Sequence, residues 1–220
     1  MNDFERIRSF ILSRYMDEEG ELQELYESAV SRGIPVIRRD TVKLLRLLLE
    51  MNKPKRILEI GTAVGYSALL MTSCLPDVEI VTMELDHERA EEAGANFKKM
   101  KCHHIRLLEG DAAKLLPELD GTFDLIFVDA AKAQYIMYLP EMLRLSRAGT
   151  VILSDNVLQE GNILESHFLV EKRDRTIHDR MREYLDALTH SEGLVTSILP
   201  VGDGVAVSCV LQAPKCNPFT

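Results

Sequence analysis

Apolar residues recur at helical spacing through the first fifty positions and then change period. Phe4, Ile7, Ile11 and Tyr15 fall on one face of a predicted helix, Leu22, Leu25, Tyr26 and Val30 on a second, and Val42, Leu44, Leu45, Leu48 and Leu49 on a third. Gly33 and Pro35 separate the second from the third. From Arg56 the pattern becomes short apolar runs alternating with helical segments: 56–61 (RILEIG), 79–85 (EIVTMEL), 104–110 (HIRLLEG), 124–130 (DLIFVDA) and 150–156 (TVILSDN). Continuous apolar strands spaced by helices predict a parallel sheet covered on both faces. Residues 194–200 (LVTSILP) and 205–211 (VAVSCVL) break the alternation. The VGDG between them is too short for a crossover helix, so these two strands are expected to pair antiparallel.

A chain of 220 residues that is 46% hydrophobic can bury one substantial core, which predicts one domain over 1–220: helices over 1–50 and a binding and catalytic core over 56–211. No internal repeat or low-complexity segment interrupts it. Cys74, Cys102, Cys209 and Cys216 lie far apart without metal-ligand spacing, so neither a zinc site nor a disulfide framework is expected. The charged amino terminus lacks the layout of a signal peptide, and no apolar run approaches the roughly 20 residues of a membrane span. The reading is a cytoplasmic protein without a membrane partner. A net charge of -9 argues against bulk nonspecific nucleic-acid binding. It does not exclude a local basic patch. Residues 170–184 (VEKRDRTIHDRMREY) supply one, with Lys172, Arg173, Arg175, Arg180 and Arg182. The simpler reading of that patch is a solvated helix face with Arg175/Asp179 and Asp174/His178 pairings.

Strand ends carry the candidate chemistry. In LEIGTAVGYSALL (58–70) a glycine turn joins a strand to a helix, where Gly61 and Gly65 let the backbone approach a ligand and the helix start near Tyr66 and Ser67 offers amide groups. Glu84 ends the next strand, about 20 residues on, where a carboxylate can accept from both ribose hydroxyls. Asp111 and Ala112 follow the third strand, at the expected place of an adenine ring. Three strand ends converging on one crevice favour a nucleoside-bearing cofactor. Asp129 ends the fourth strand and Asp155-Asn156 the fifth. Two carboxylates and an amide oxygen form a hard donor set suited to Mg²⁺. Lys132, three residues past Asp129, is the candidate general base toward an acceptor hydroxyl.

The ordered set LEIGTAVGYSALLM, VTMELD, FVDAAKAQY and LSDNVL resembles the cation-dependent O-methyltransferases, the group containing catechol and caffeoyl-CoA O-methyltransferases. The resemblance runs from about Arg32 to Leu211. It implies the Rossmann-like S-adenosylmethionine-dependent methyltransferase fold: α/β, with a seven-stranded, mostly parallel sheet ending in an antiparallel hairpin and extra amino-terminal helices. By that resemblance Ile37, Gly61, Ser67, Glu84, Asp111, Ala112 and Asp129 contact S-adenosylmethionine. Asp129, Asp155 and Asn156 hold Mg²⁺, and Lys132 with Asp129 forms the catalytic set. Ala63 stands where many methyltransferase loops have a glycine, and RGIPVIRRDT, which contains Ile37, matches only in outline.

The arginine-rich segment more closely resembles one bacterial branch, the tRNA 5-hydroxyuridine methyltransferases, which make 5-methoxyuridine at the anticodon wobble position. That implies a splayed, single-stranded acceptor whose flanking phosphates meet Lys172, Arg173, Arg175, Arg180 and Arg182, with Arg38 and Arg39. Tyr135, Tyr138 and Phe168 are the candidate stacking platforms for its base. A small catechol-like phenol is the alternative acceptor, and a noncatalytic cofactor-binding module a third reading. A homodimer is expected from the resemblance and from the apolar amino-terminal helices.

Overall fold

The computed structural model describes residues 3–16 and 18–212; Cys216 and the Phe4 side chain lie outside the described set. Helices α1 (Asp3–Leu12), α2 (Glu21–Ser31) and α3 (Arg39–Asn52) come first, as the spacing predicted. The alternating region then gives β1 (Arg56–Ile60), α4 (Tyr66–Cys74), β2 (Glu79–Glu84), α5 (His87–Lys99), β3 (Ile105–Glu109) and α6 (Ala112–Leu115). It continues through β4 (Phe123–Val128), α7 (Tyr135–Arg144), β5 (Ser146–Ser154), α8 (Arg175–His190), β6 (Leu194–Leu199) and β7 (Val205–Val210). Asp86 caps α5 by accepting from the Arg89 amide at 3.0 Å, and Asp111 caps α6 by accepting from Ala113 at 3.0 Å.

The strands form one seven-stranded sheet in the order β3-β2-β1-β4-β5-β7-β6, parallel except where β7 pairs antiparallel with β5 and β6. This is the expected fold class. Side chains alternate across it into two clusters. Ile57, Leu125 and Leu153 pack beneath α3 and α4 with Leu45, Leu49 and Leu69, while Leu58, Ile126 and Ile152 pack against α7 and α8 with Leu139, Met181 and Leu188. Each such side chain contributes about 1.5–3 kcal/mol on burial. No described helix is long and apolar enough to cross a membrane.

β5 starts at Ser146, before the predicted Thr150, because a register shift between Phe123 and Leu125 lets Ser146 pair with Phe123 while 147–150 bulge before pairing resumes at Val151. Thr150 patches the irregularity, donating from its hydroxyl to the Phe123 carbonyl at 2.7 Å and accepting from the Arg147 amide at 2.9 Å.

Register positions the site. Ile60 pairs with Val128 and Val128 with Ser154, so Gly61, Asp129 and Asp155 leave the sheet at one level of its carboxyl edge. The Asp129 amide donates to Ile60 O and the Asp155 amide to Val128 O, each at 2.9 Å. Strand order reverses between β1 and β4, which opens a crevice at that edge.

Candidate active site

A cleft of about 920 Å³ occupies the crevice, and Ile37, Gly61, Ser67, Glu84, Asp111, Ala112, Asp129, Lys132 and Asn156 all line it. Asp155 lies just behind, at 1% exposure. Gly61 sits at φ +102°, and a Cβ there would overlap the Asp129 carbonyl oxygen. Gly65 sits at φ +88° against Phe97, so both turn glycines are required by conformation as well as by space. Glu84 is not a solvated strand end. Its Oε2 accepts from the Ala63 amide at 2.7 Å and its Oε1 from the Asp86 amide at 2.9 Å, which fixes the carboxylate at the cleft wall with lone pairs left over.

Beneath the turn lies Glu59, a residue that sequence reasoning passed over. It is fully buried, its Oε2 accepts from the Thr82 hydroxyl at 2.5 Å, and its Oε1 makes no hydrogen bond. Burial first, and then the nearby Asp129 and Glu84 charges, push its carboxyl up to about 7 against the opposing hydroxyls of Ser67 and Thr82. The available signal was an acidic residue at an inward position of an otherwise apolar strand.

Asp129, Asp155 and Asn156 are brought together as their strand-end positions imply. The backbone at Asn156 takes the left-handed conformation, φ +58°, and its Nδ2 donates to Asp129 Oδ1 at 3.0 Å. Asp155 Oδ1 accepts from the Asn156 amide at 2.8 Å and lies 3.5 Å from the Thr41 hydroxyl, whereas the buried Oδ2 makes no hydrogen bond. Burial raises both carboxyls, mutual repulsion raises Asp155 further, and the Lys132 charge opposes the rise at each. Tyr135, named as a stacking platform, is instead fully buried. Its hydroxyl accepts from the Ala130 amide at 3.2 Å and reaches the carbonyl oxygens of Asp155 and Val128 at 3.1 and 3.3 Å, tying the ends of β4 and β5 together. Tyr138 lines the cleft but is only 5% exposed, and Phe168 is 83% exposed.

The basic residues divide. Arg175 donates from Nε to Val170 O at 3.2 Å and from Nη2 to Phe168 O at 3.4 Å, while Arg180 donates to Ala133 O, beside Lys132, at 3.2 Å. Arg173 pairs with Glu171 and Asp174, and Lys172 and Arg182 are exposed. The pairings expected of Asp179 and His178 are replaced, since Asp179 Oδ1 lies 2.8 Å from His167 Nδ1 and 3.1 Å from His178 Nδ1 while Arg175 turns to the loop. Arg38 lines the cleft, and the Arg39 guanidinium lies 5.6 Å above the Tyr26 ring.

A family model described as O-methyltransferase matches residues 12–210. The chain belongs to the O-methyltransferase family. Among the relatives of this O-methyltransferase, the catechol O-methyltransferase of Niastella koreensis is 34% identical over 172 residues, covering 74% of this chain and 78% of its own. Caffeoyl-CoA O-methyltransferase 1 of Arabidopsis thaliana is 32% identical over 206 residues, covering 89% and 80%. Among solved structures, the SAH-bound Podospora anserina methyltransferase superposes with a TM-score of 0.83 at 29% identity, covering 96% of this chain and 97% of that one. These matches bear out the resemblance carried by the strand-end motifs.

Proposed function

We propose that this O-methyltransferase moves the methyl group of S-adenosylmethionine to an acidic hydroxyl, and that the hydroxyl belongs to 5-hydroxyuridine at the wobble position of a tRNA anticodon. The observation that carries the chemistry is the Asp129–Asp155–Asn156 cluster. Two carboxyls held above their ordinary range and a buried carboxylate oxygen without a partner fit a divalent cation of the Mg²⁺ class. Such an ion, held by those three side chains, supplies acidification and alignment of the acceptor hydroxyl.

The chain's own residues do the rest. Glu84, fixed by two amides, retains lone pairs for the ribose hydroxyls of the methyl donor. The Gly61–Gly65 turn and the first amides of α4 receive its polar atoms, Asp111 and Ala112 flank its base, and Ile37 closes the wall. Lys132, half-buried in the cleft wall, takes the hydroxyl proton at Nζ when it is present as the neutral amine, and becomes the ammonium in doing so. The donor fits the family, in which the Podospora anserina enzyme is SAH-bound.

Support for tRNA comes from the α8 flank, which approaches the cleft where Arg180 donates to the Ala133 carbonyl beside Lys132. Lys172 and Arg173, just ahead of α8, and Arg182, on it, are exposed, and so is the Phe168 ring on the preceding loop, which supplies phosphate-pairing charge and a stacking surface. A small catechol-like phenol is the second reading, favoured by the names of the curated relatives. Labelled methyl transfer from S-adenosylmethionine is measured with Mg²⁺ and with chelator, on tRNA from cells lacking this protein and on a catechol panel. Chelator-sensitive labelling of tRNA alone is expected; labelling of catechols alone overturns the tRNA assignment. Loss of all labelling in Lys132→Ala is expected in either case. We also propose a homodimer, supported by Ile7, Phe10, Ile11 and Met16, which are 40–78% exposed; sedimentation as a monomer at micromolar concentration overturns it.

A further inference from the structure

The stretch Glu165–Val170 is tied to α8 by contacts that ordinary hydrogen bonding leaves one cation short. His178, 1% exposed, has Nε2 3.0 Å from the Glu165 carbonyl oxygen and Nδ1 3.1 Å from Asp179 Oδ1. A carbonyl only accepts, so Nε2 carries the proton. In a neutral ring Nδ1 is then a bare lone pair, and it faces a carboxylate oxygen. His167 Nδ1 reaches the same oxygen from the loop at 2.8 Å, and one ligand atom from each of the three residues lies within 4.8 Å of the others.

We propose that His167, His178 and Asp179 bind a transition-metal ion of the zinc class, at a site separate from the strand-end carboxylates. Two imidazole nitrogens and one carboxylate oxygen suit zinc, as an all-oxygen set suits Mg²⁺. His178 also has the support expected of a metal ligand, its second ring nitrogen donating to a backbone carbonyl. Bonds of about 2.0–2.2 Å place tetrahedral ligands about 3.3 Å apart, so the two nitrogen–oxygen contacts need open by only tenths of an ångström, and the two imidazoles, within 4.8 Å of each other, need turn to the same spacing. His167 and Asp179 are 42% and 52% exposed, which leaves water access for a remaining position. The ion fastens to α8 the segment that begins at Gln159 in the cleft wall. Spacing arithmetic on the sequence found no zinc site because His167 stands a loop away from the adjacent pair on the helix.

The competing occupant is a proton: a doubly protonated His178 makes both contacts without metal. The full chain is stripped with chelator, given excess Mg²⁺, and titrated calorimetrically with ZnCl₂; Co²⁺ is then added as a spectroscopic probe. One Zn²⁺ per chain is expected in the presence of Mg²⁺, together with the strong visible absorption of tetrahedral cobalt. His167→Ala, outside the cleft, is expected to weaken Zn²⁺ by at least the roughly 10–100-fold typical of losing a ligand's supporting partner, with S-adenosylmethionine affinity unchanged. Asp179→Asn is expected to do the same. These two surface changes carry the test, since replacing the buried His178 endangers folding. The site is overturned if the wild-type chain takes up no Zn²⁺ in excess Mg²⁺, if either variant binds it equally well, or if nitrogen NMR finds His178 doubly protonated in the Zn²⁺-treated protein.

Discussion

The cofactor wall of the cleft and the α8 flank of the molecule use the backbone in opposite ways. On the cofactor wall, carboxylates accept from main-chain amides: Glu84 from Ala63 and Asp86, Asp111 from Ala113, Asp155 from Asn156. On the α8 flank, basic side chains donate to main-chain carbonyls: Arg175 to Val170 and Phe168, Arg180 to Ala133, His178 to Glu165. A carboxylate so held keeps lone pairs for a ligand, because each oxygen accepts more than once. A guanidinium donating to a carbonyl has committed part of its fork. Acidic residues at strand ends are therefore both scaffold and site, whereas a count of arginines overstates the charge available to a partner.

The most disruptive way to break this comparison is Gly61→Ala, because Gly61 abuts Asp129 and the change pushes the cofactor turn into the cation cluster. Strain at φ +102° and the overlap with a carbonyl together predict a loss of roughly 3 kcal/mol or more and of S-adenosylmethionine binding. Thermal unfolding and calorimetry measure both. A variant with wild-type melting and affinity would mean the turn is not held as described.

Glu59→Gln sharpens the comparison by removing a carboxyl beneath the cofactor turn that accepts from a hydroxyl and not from a backbone amide. Its folded value of about 7 lies above the ordinary 4.5, so the folded state holds the proton more tightly. Stability from this group is therefore present at pH 4 and lost as pH rises toward 7 and beyond. In the ligand-free protein Glu59→Gln is expected to match wild type near pH 4 and exceed it at pH 8, by up to roughly 3 kcal/mol. Urea unfolding at the two pH values reads this directly; an equal offset at both would remove the titration account.

On the α8 flank the effects are smaller. Arg175→Ala is expected to cost about 1–2 kcal/mol and to speed amide exchange across Phe168–Val170. Lys172→Ala should leave stability within roughly 0.5 kcal/mol. If tRNA is the acceptor, it should also flatten the salt dependence of RNA binding by about one phosphate's worth. Reversed ranks for these two arms would mean the basic residues are not divided between scaffold and surface.

Strand placement was legible because parallel strands buried on both faces read as continuous apolar runs, and β2 to β5 each carry an acidic residue at or just past the carboxyl end. Gly61, Glu84, Asp129 and Asp155 could thus be named before any geometry. Less was legible where pairing is irregular or a residue's partner is distant. SRAG looks like loop, yet its Ser146 pairs with β4 ahead of a bulge. Tyr135 looks like an exposed ring at a helix start, yet three backbone groups surround its hydroxyl. Glu59 was hidden by its apolar neighbours, and the Asp179 partners by the loop that carries His167.

The placement of β7 between β5 and β6 sets an order of events during synthesis. Val157 and Leu158 donate their amides to Gly204 and Asp203, just ahead of β7, so the turn carrying Asp155 and Asn156 gains its clamp only after the hairpin has been made. A nascent chain arrested before Val205 should hold the first five strands while that turn stays open to protease. Limited digestion of arrested chains, before and after the hairpin clears the ribosome, would show cleavage near Asn156 stopping as β7 docks.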